Sequence, residues 1–506
     1  MSLQKTAVPA LARGSSSSRG LESLEQRRLL SIAAGLEPAA RQEDVVLAWN
    51  QVMLDANAAD HSLANPDQGG PTRTSRAFAI VSAAVFDTVN SIDHRYEPYL
   101  LELPGFQNAD VRAAVSVAAH DTLISLFPQQ QSRFDAALDD WLDRVPDGRR
   151  EQRGILLGQR MAEACITSRI GDGADVMHMY MPTNAPGHHQ PDPENPNQGF
   201  LGPVWGAVTP FVLDDVTDFR APPPPALDSA AYADAYNQVR AYGGNGTTTP
   251  TIRTLEQTQV GLFWAYDGTP GLGTPPRLYN QIIRTIAIDR GNTVEQNARL
   301  LALTNLAMAD AGIQAWETKY HYDFWRPIIG IRQGDNDGNA ATAADATWTP
   351  LGAPYSNGGG THQNFTPPFP AYASGHATFG AAAFEATADF YRTHRLRFSF
   401  VSDELNGVTT DHLGNVRPRI VRRFNSLNDA ITENAQSRIY LGIHWQFDAT
   451  SGIVAGKAIA DFVSTNVLRP RHGPDEAAVV APEPEPPVAE PTDRLDVDLF
   501  SELPVV

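Results

Sequence analysis

A single cysteine, Cys165, in 506 residues excludes an intramolecular disulfide and a cysteine-built zinc site. Basic residues are also scarce, with 39 Lys and Arg against 58 Asp and Glu for a formal charge of −19. That deficit argues against a nucleic-acid or anionic-membrane partner, and it means that any anionic ligand needs a local cluster of cations. No run approaches the roughly 18 consecutive apolar residues that a transmembrane helix needs, so no span is expected. Strand-like alternation is rare as well, which leaves few places for a large sheet.

What the chain has instead is alanine-rich sequence with helical spacing. Such segments lie at 45–60, 77–92, 111–127 and 151–170, and the expected fold is mainly α. A region rich in proline and glycine, 171–228, interrupts them and reads as a surface excursion or a connection between two helical halves. Its His188 and His189 read as a solvated pair in a polar loop. Helices resume near Pro250, and the clearest begins at Thr293, where Thr293 and Gln296 have capping-box spacing. Leu303, Leu306, Ile313 and Trp316 then form an apolar stripe leading to Lys319.

The two ends differ from this body. Residues 1–42 read as disordered, and LESLEQRRLLS (21–31) resembles an N-terminal segment found on some exported bacterial proteins, so export is expected. Residues 471–506 read as an acidic, proline-rich disordered tail. The body between them, 43–470, is expected to divide into halves at about 43–220 and 250–470.

Three motifs carry chemistry. In KYHYDFWRP (319–327), a continuous helix would put Lys319 and Arg326 on one face, with Pro327 ending it. The alternative is that both cations snorkel to solvent. In FPAYASGHATFGAAAF (369–384), Ser374 is placed to cap a helix, and His376 starts a buried stripe with Phe379 and Ala383. A helix start is also an anion site, to which a serine hydroxyl and a histidine add a donor and proton chemistry. In ENAQSRIYLGIHWQFDATSG (433–452), Arg438 faces inward. His444, six residues on, joins it only if the helix loosens near Gly442; taken singly, it reads as a core histidine. Asp448 reads as the N-cap of a following helix. Together the motifs supply three cations, a hydroxyl and two histidines, a set suited to a tetrahedral or trigonal-bipyramidal oxyanion.

These residues resemble the vanadium-dependent haloperoxidases, which share an anion site with the type 2 phosphatidic acid phosphatase superfamily. The likeness to the fungal-type chloroperoxidase branch also takes in WAYDG (264–268), GTPPRLYNQI (273–282) and PPFPAY (367–372). It spans about 264–450 and continues more weakly back to about 43.

The resemblance implies an all-α fold of two helical bundles, with the cofactor site at the end of one. It implies vanadate bonded by His444 and held through its oxygens by Lys319, Arg326, Arg438, the Ser374 hydroxyl and the Gly375 N–H. His376 would handle protons, and Lys319 would polarise the bound oxygen that the halide attacks. Trp316 and Phe369 match positions near the halide, and Asp267 matches a carboxylate that orients the Arg438 guanidinium. Where proline commonly precedes the Ser-Gly-His, this chain has Ala373. The implied reaction is oxidation of bromide or chloride by hydrogen peroxide to hypohalous acid, which halogenates an organic acceptor. The competing reading is an acid phosphatase in which His444 attacks phosphorus and His376 protonates the leaving alcohol.

Overall fold

The computed structural model describes residues 44–360 and 363–471, so the expectations for 1–42 and for the tail beyond Arg471 lie outside the described residues. The first helices are α1 (Val45–Asp60), α2 (Gly70–Asp93), α3 (Val111–Leu126), α4 (Gln131–Leu142) and α5 (Arg149–Ser168). After the irregular region come α6 (Ala230–Tyr242), α7 (Leu255–Phe263), α8 (Pro275–Arg290), α9 (Val294–Tyr322) and α10 (Pro327–Arg332). The last three are α11 (Gly375–Tyr391), α12 (Leu427–Tyr440) and α13 (Gln446–Asn466). Two three-residue strands, β1 (Phe398–Phe400) and β2 (Arg422–Phe424), pair antiparallel with Phe398 opposite Phe424. The expected mainly helical fold is what these elements form.

The 29-residue α9 is the central element and is buried along most of its length, packing on both α2 and α11. Its start follows the expected capping box: the Thr293 N–H donates to Gln296 Oε1 at 2.9 Å, and the Gln296 N–H donates to Thr293 Oγ1 at 3.4 Å. Two faces of the body meet across α11 and α13. A Cβ on Gly456 would fall 2.3 Å from the Thr378 carbonyl, and one on Gly452 would fall 2.8 Å from that of Ser374. Only hydrogen at those positions lets α13 lie this close to the first turns of α11.

The irregular 171–228 region is a surface excursion only in part, exposed around Met177–Met181 but anchored inward further on. Trp205, Phe211 and Leu213 are buried. The buried Asp310 of α9 ties the region down by accepting from the backbone N–H groups of Phe211 at 2.6 Å, Val212 at 2.8 Å and Leu213 at 2.9 Å. A carboxylate that satisfies three backbone donors lets a loop be buried without orphaned N–H groups. Asp87 of α2 does the same for Tyr99, Leu100 and Leu101.

Candidate active site

The three motifs converge at the ends of α9, α11 and α12. Lys319 and Arg326 arrive differently from the continuous helix that the spacing suggests. α9 stops at Tyr322, Asp323 takes a left-handed conformation with φ 53°, and Arg326 is the residue that precedes α10. The turn is what brings both cations inward, since Lys319 is 0 % and Arg326 1 % exposed. Snorkelling is therefore ruled out.

The Lys319 ammonium donates to three backbone carbonyls, those of Pro370 and Ala371 at 2.9 Å and that of Ala373 at 2.5 Å. All three of its protons are used, so it acts on the site as a fixed charge. The substitution of alanine for the usual proline at 373 keeps the carbonyl that this bond needs. Burial first, and the neighbouring Arg326 second, hold the Lys319 pKa well below that of an ordinary lysine.

Arg326 donates through Nε to the Phe369 carbonyl at 2.9 Å. Its Nη1 donates to the Ile443 carbonyl at 2.8 Å and reaches His444 Nε2 at 2.9 Å. Burial lowers its pKa to about 9. Arg438 of α12 donates through Nη2 to Asp267 Oδ1 at 2.7 Å. Among the described residues, Arg326 Nη2 and Arg438 Nε and Nη1 meet no acceptor. Buried guanidinium N–H groups left unpaired cost more than the bonds they would make, so three of them in one place call for an oxyanion.

Between Arg438 and His444 the helix does loosen as expected. α12 ends at Tyr440, and Gly442 has φ 74°, which turns the chain back so that His444 reaches Arg326. His444 Nδ1 lies 2.9 Å from Asp448 Oδ2, so the proton sits on Nδ1 and Nε2 carries the lone pair. Asp448 is not the N-cap of α13 that its sequence suggests. Trp445 takes that place, and Asp448, in the first turn, accepts from the Trp445 N–H at 3.0 Å as well as from His444. Burial pushes its pKa up to about 7.

Ser374 caps α11, its hydroxyl accepting from the Ala377 N–H, while its own N–H donates to the Asp448 carbonyl at 2.9 Å. A Cβ on Gly375 would lie 3.3 Å from the Trp316 ring, so glycine keeps that first turn close to the indole. His376 Nε2 donates to the Ala265 carbonyl at 2.6 Å, leaving Nδ1 as the free base. Burial, then Arg438, keep the pKa of His376 well below the usual value; burial and Arg326 do the same for His444.

A cavity of about 790 Å³ opens onto this cluster. Its inner wall includes Asp267, Trp316, Phe369, Gly375, His376, Arg438 and His444, with Lys319, Arg326 and Ser374 behind. The Trp316 and Phe369 rings lie 4.8 Å apart, and Lys319 Nζ and the Arg326 guanidinium lie 5.1 and 4.9 Å from the Phe369 ring. An apolar wall thus abuts the cations.

Every residue singled out from the three motifs, with Asp267, falls in this cluster. Sequence reasoning missed the role of Asp448, whose signal was its four-residue spacing from His444. It also missed the backing of the 263–267 turn: the Ser402 hydroxyl donates to the Phe263 carbonyl at 2.7 Å, and the Asp403 N–H donates to the Tyr266 hydroxyl at 2.8 Å. That turn presents both the Ala265 carbonyl and Asp267. The histidine pair of the irregular region also differs from expectation. His188 is exposed and 2.9 Å from Asp323 Oδ2, but His189 is 2 % exposed and packs against Tyr180 and Phe200.

The fold and site define a helical-bundle protein built around an enclosed oxyanion site. Comparison with known proteins places it further. Residues 34–203 match the family model described as the vanadium chloroperoxidase N-terminal domain, and 299–473 match the second helical-bundle domain of the same family. The chain is 33 % identical to the vanadium chloroperoxidase of Curvularia inaequalis over 500 residues, covering 82 % of this chain and 80 % of that protein. It belongs to the vanadium chloroperoxidase family.

Solved structures share its fold. A bacterial vanadium-dependent iodoperoxidase superposes with a TM-score of 0.67 at 24 % identity, covering 86 % of this chain and 98 % of that one. A holo-type bacterial vanadium-dependent chloroperoxidase gives 0.62 at 17 % identity, covering 85 % and 98 %.

Proposed function

We propose that this chain, a vanadate-dependent haloperoxidase that uses hydrogen peroxide and halide, oxidises bromide and chloride and delivers the hypohalous acid to an organic acceptor in its cavity. The observation that carries this reading is the group of three unpaired guanidinium nitrogens beside an unprotonated His444 Nε2. Vanadate fits both: Arg326 and Arg438 would hold its oxygens, and His444 Nε2 would bond it. Bound vanadate supplies the Lewis acid that makes hydrogen peroxide electrophilic toward halide.

The residues divide the remaining work. Arg326, Arg438, the Ser374 hydroxyl and the Gly375 N–H would hold the oxygens of bound vanadate, while Lys319 contributes charge from behind. His376 Nδ1 takes a proton from incoming peroxide and returns it to the departing oxygen. Asp267 and Asp448 aim Arg438 and His444. Trp316 and Phe369 offer a weakly hydrated wall for a halide. Export through the 1–42 segment belongs to the same proposal.

Monochlorodimedone halogenation with vanadate, peroxide and bromide or chloride tests the reading. Vanadate-dependent turnover with both halides is expected, and inorganic phosphate should slow it by competing for the same donors. Steady hydrolysis of p-nitrophenyl phosphate without halogenation would replace it with the phosphatase reading.

A further inference from the structure

Methionine sulfur is sharply partitioned in this fold. Met53, Met161 and Met308 are at most 1 % exposed, whereas Met177, Met179 and Met181 are 87, 77 and 76 % exposed. The thiol of Cys165 is also buried, and burial raises its pKa and keeps it inert. Among the described residues, accessible sulfur is therefore confined to five consecutive positions. Scattered apolar side chains on a surface need no explanation, but three thioethers side by side form a patch of one chemistry.

That patch borders the cavity. Tyr180, between Met179 and Met181, turns inward, its ring 4.7 Å from Phe200 and 5.5 Å from Tyr320. Phe200 lines the cavity. The Tyr180 hydroxyl donates to Asp323 Oδ1, which ties the segment to the turn between Lys319 and Arg326. Each methionine flanking Tyr180 is one residue step, about 3.8 Å between Cα atoms, from this anchor.

We propose that Met177, Met179 and Met181 are a sacrificial oxidation site for the enzyme's own product. The inference rests on the haloperoxidase reading, which supplies the oxidant. A thioether sulfur attacks the halogen of hypohalous acid, forming an S–X bond as hydroxide leaves. Water then forms the S–O bond as halide departs. The sulfur loses two electrons, the halogen gains them, and the net products are a sulfoxide, a halide ion and a proton. Methionine sulfoxide is reversible by reductases, so the strip is a renewable trap beside the cavity wall.

The test is peptide mass spectrometry of the vanadate-loaded protein after turnover with hydrogen peroxide and bromide, without an organic acceptor. One added oxygen is expected at each of the three residues, with Met53, Met161 and Met308 unchanged and no addition when bromide is omitted. Active enzyme with the three sulfurs unmodified, or equally modified without bromide, overturns the proposal. Hypobromite added directly to the chain separates this from failure of the haloperoxidase reading, because the three methionines should be oxidised first even if turnover is absent; oxidation elsewhere first overturns it. The variant M177L/M179L/M181L should keep its initial rate but complete fewer turnovers before losing half its activity. An unchanged number of turnovers refutes the protective role.

Discussion

Replacing Asp448 by Asn separates aiming from stability at the centre of the site. Asp448 Oδ2 accepts from His444 Nδ1 at 2.9 Å and from the Trp445 N–H at 3.0 Å, while its other oxygen has no partner. An asparagine carbonyl can make the same two bonds, so the geometry and the number of unpartnered atoms stay the same and only the charge is lost. A hydrogen bond to a charged acceptor is worth about 1.5–3 kcal/mol, against about 0.5–1.5 for a neutral pair. The weaker bond lowers the basicity of Nε2, and loss of such a partner typically costs roughly 10- to 100-fold in metal affinity. The lower end is expected here because the bond itself survives. Stability should move the other way. The carboxyl is fully buried and its pKa rises from 3.8 to about 7, a penalty of roughly 4 kcal/mol at most on the ionised form. Because the folded pKa lies above the unfolded one, the carboxyl's contribution is fullest below about pH 4 and is lost as pH rises through 7. At pH 8 the vanadate-free variant should therefore melt no lower than wild type, while calorimetry with orthovanadate shows about tenfold weaker binding. Unchanged vanadate affinity, or weaker binding accompanied by a lower melting temperature at pH 8, would refute the aiming role.

Asp310→Asn exchanges one acceptor oxygen for a donor that faces backbone N–H groups of 211–213, and should cost about 2–4 kcal/mol in denaturant unfolding. Gly456→Ala puts a methyl group 2.3 Å from the Thr378 carbonyl, which forces α13 off α11. Its expected cost is about 1–3 kcal/mol, with a matching loss of vanadate affinity as His444 shifts from Ser374. Vanadate binding should also take up protons, since the pKa of His376 lies well below its ordinary value and a bound anion raises it. Affinity should then rise as pH falls, and binding heats should differ between buffers with unlike ionisation enthalpies; equal heats would exclude the linkage.

The chemistry was more legible in the sequence than the paths that assemble it. Lys319, Arg326, Ser374, His376, Arg438 and His444 were readable because each is a polar residue on an apolar stripe or at a helix start. Gly442 marked the break that Arg438 and His444 require. The break between Lys319 and Arg326 was hidden, because KYHYDFW contains neither glycine nor proline and only the left-handed Asp323 produces the turn. Asp448 was misread because an aspartate ahead of an apolar run suits an N-cap as well as a first-turn position, and only His444 in three dimensions decides between them. His189 looked solvated because proline-rich sequence usually stays on the surface. Asp310, which allows 211–213 to be buried, lies far away in the chain, so no local signal announced that anchor.

The charge of −19 and the anion site are reconciled by which atoms the carboxylates take. Asp267 accepts from Arg438 Nη2 and leaves Nε and Nη1 open. Asp448 accepts from His444 Nδ1 and leaves Nε2 as an acceptor. The protons of Lys319 go to carbonyls, which carry no net charge to cancel its own. Each partner thus binds from behind and aims the group, and the positive side of the cluster stays unneutralised in a buried setting where charge acts most strongly. The acidic surface opposes anions only weakly at a distance, because salt screens it over about 8–10 Å. A halide offers these three unpaired nitrogens one atom to share, whereas an oxyanion can offer each its own oxygen. Under the proposed function this difference sorts the two anions, the oxyanion to the guanidinium groups and the halide to the Trp316–Phe369 wall beside them.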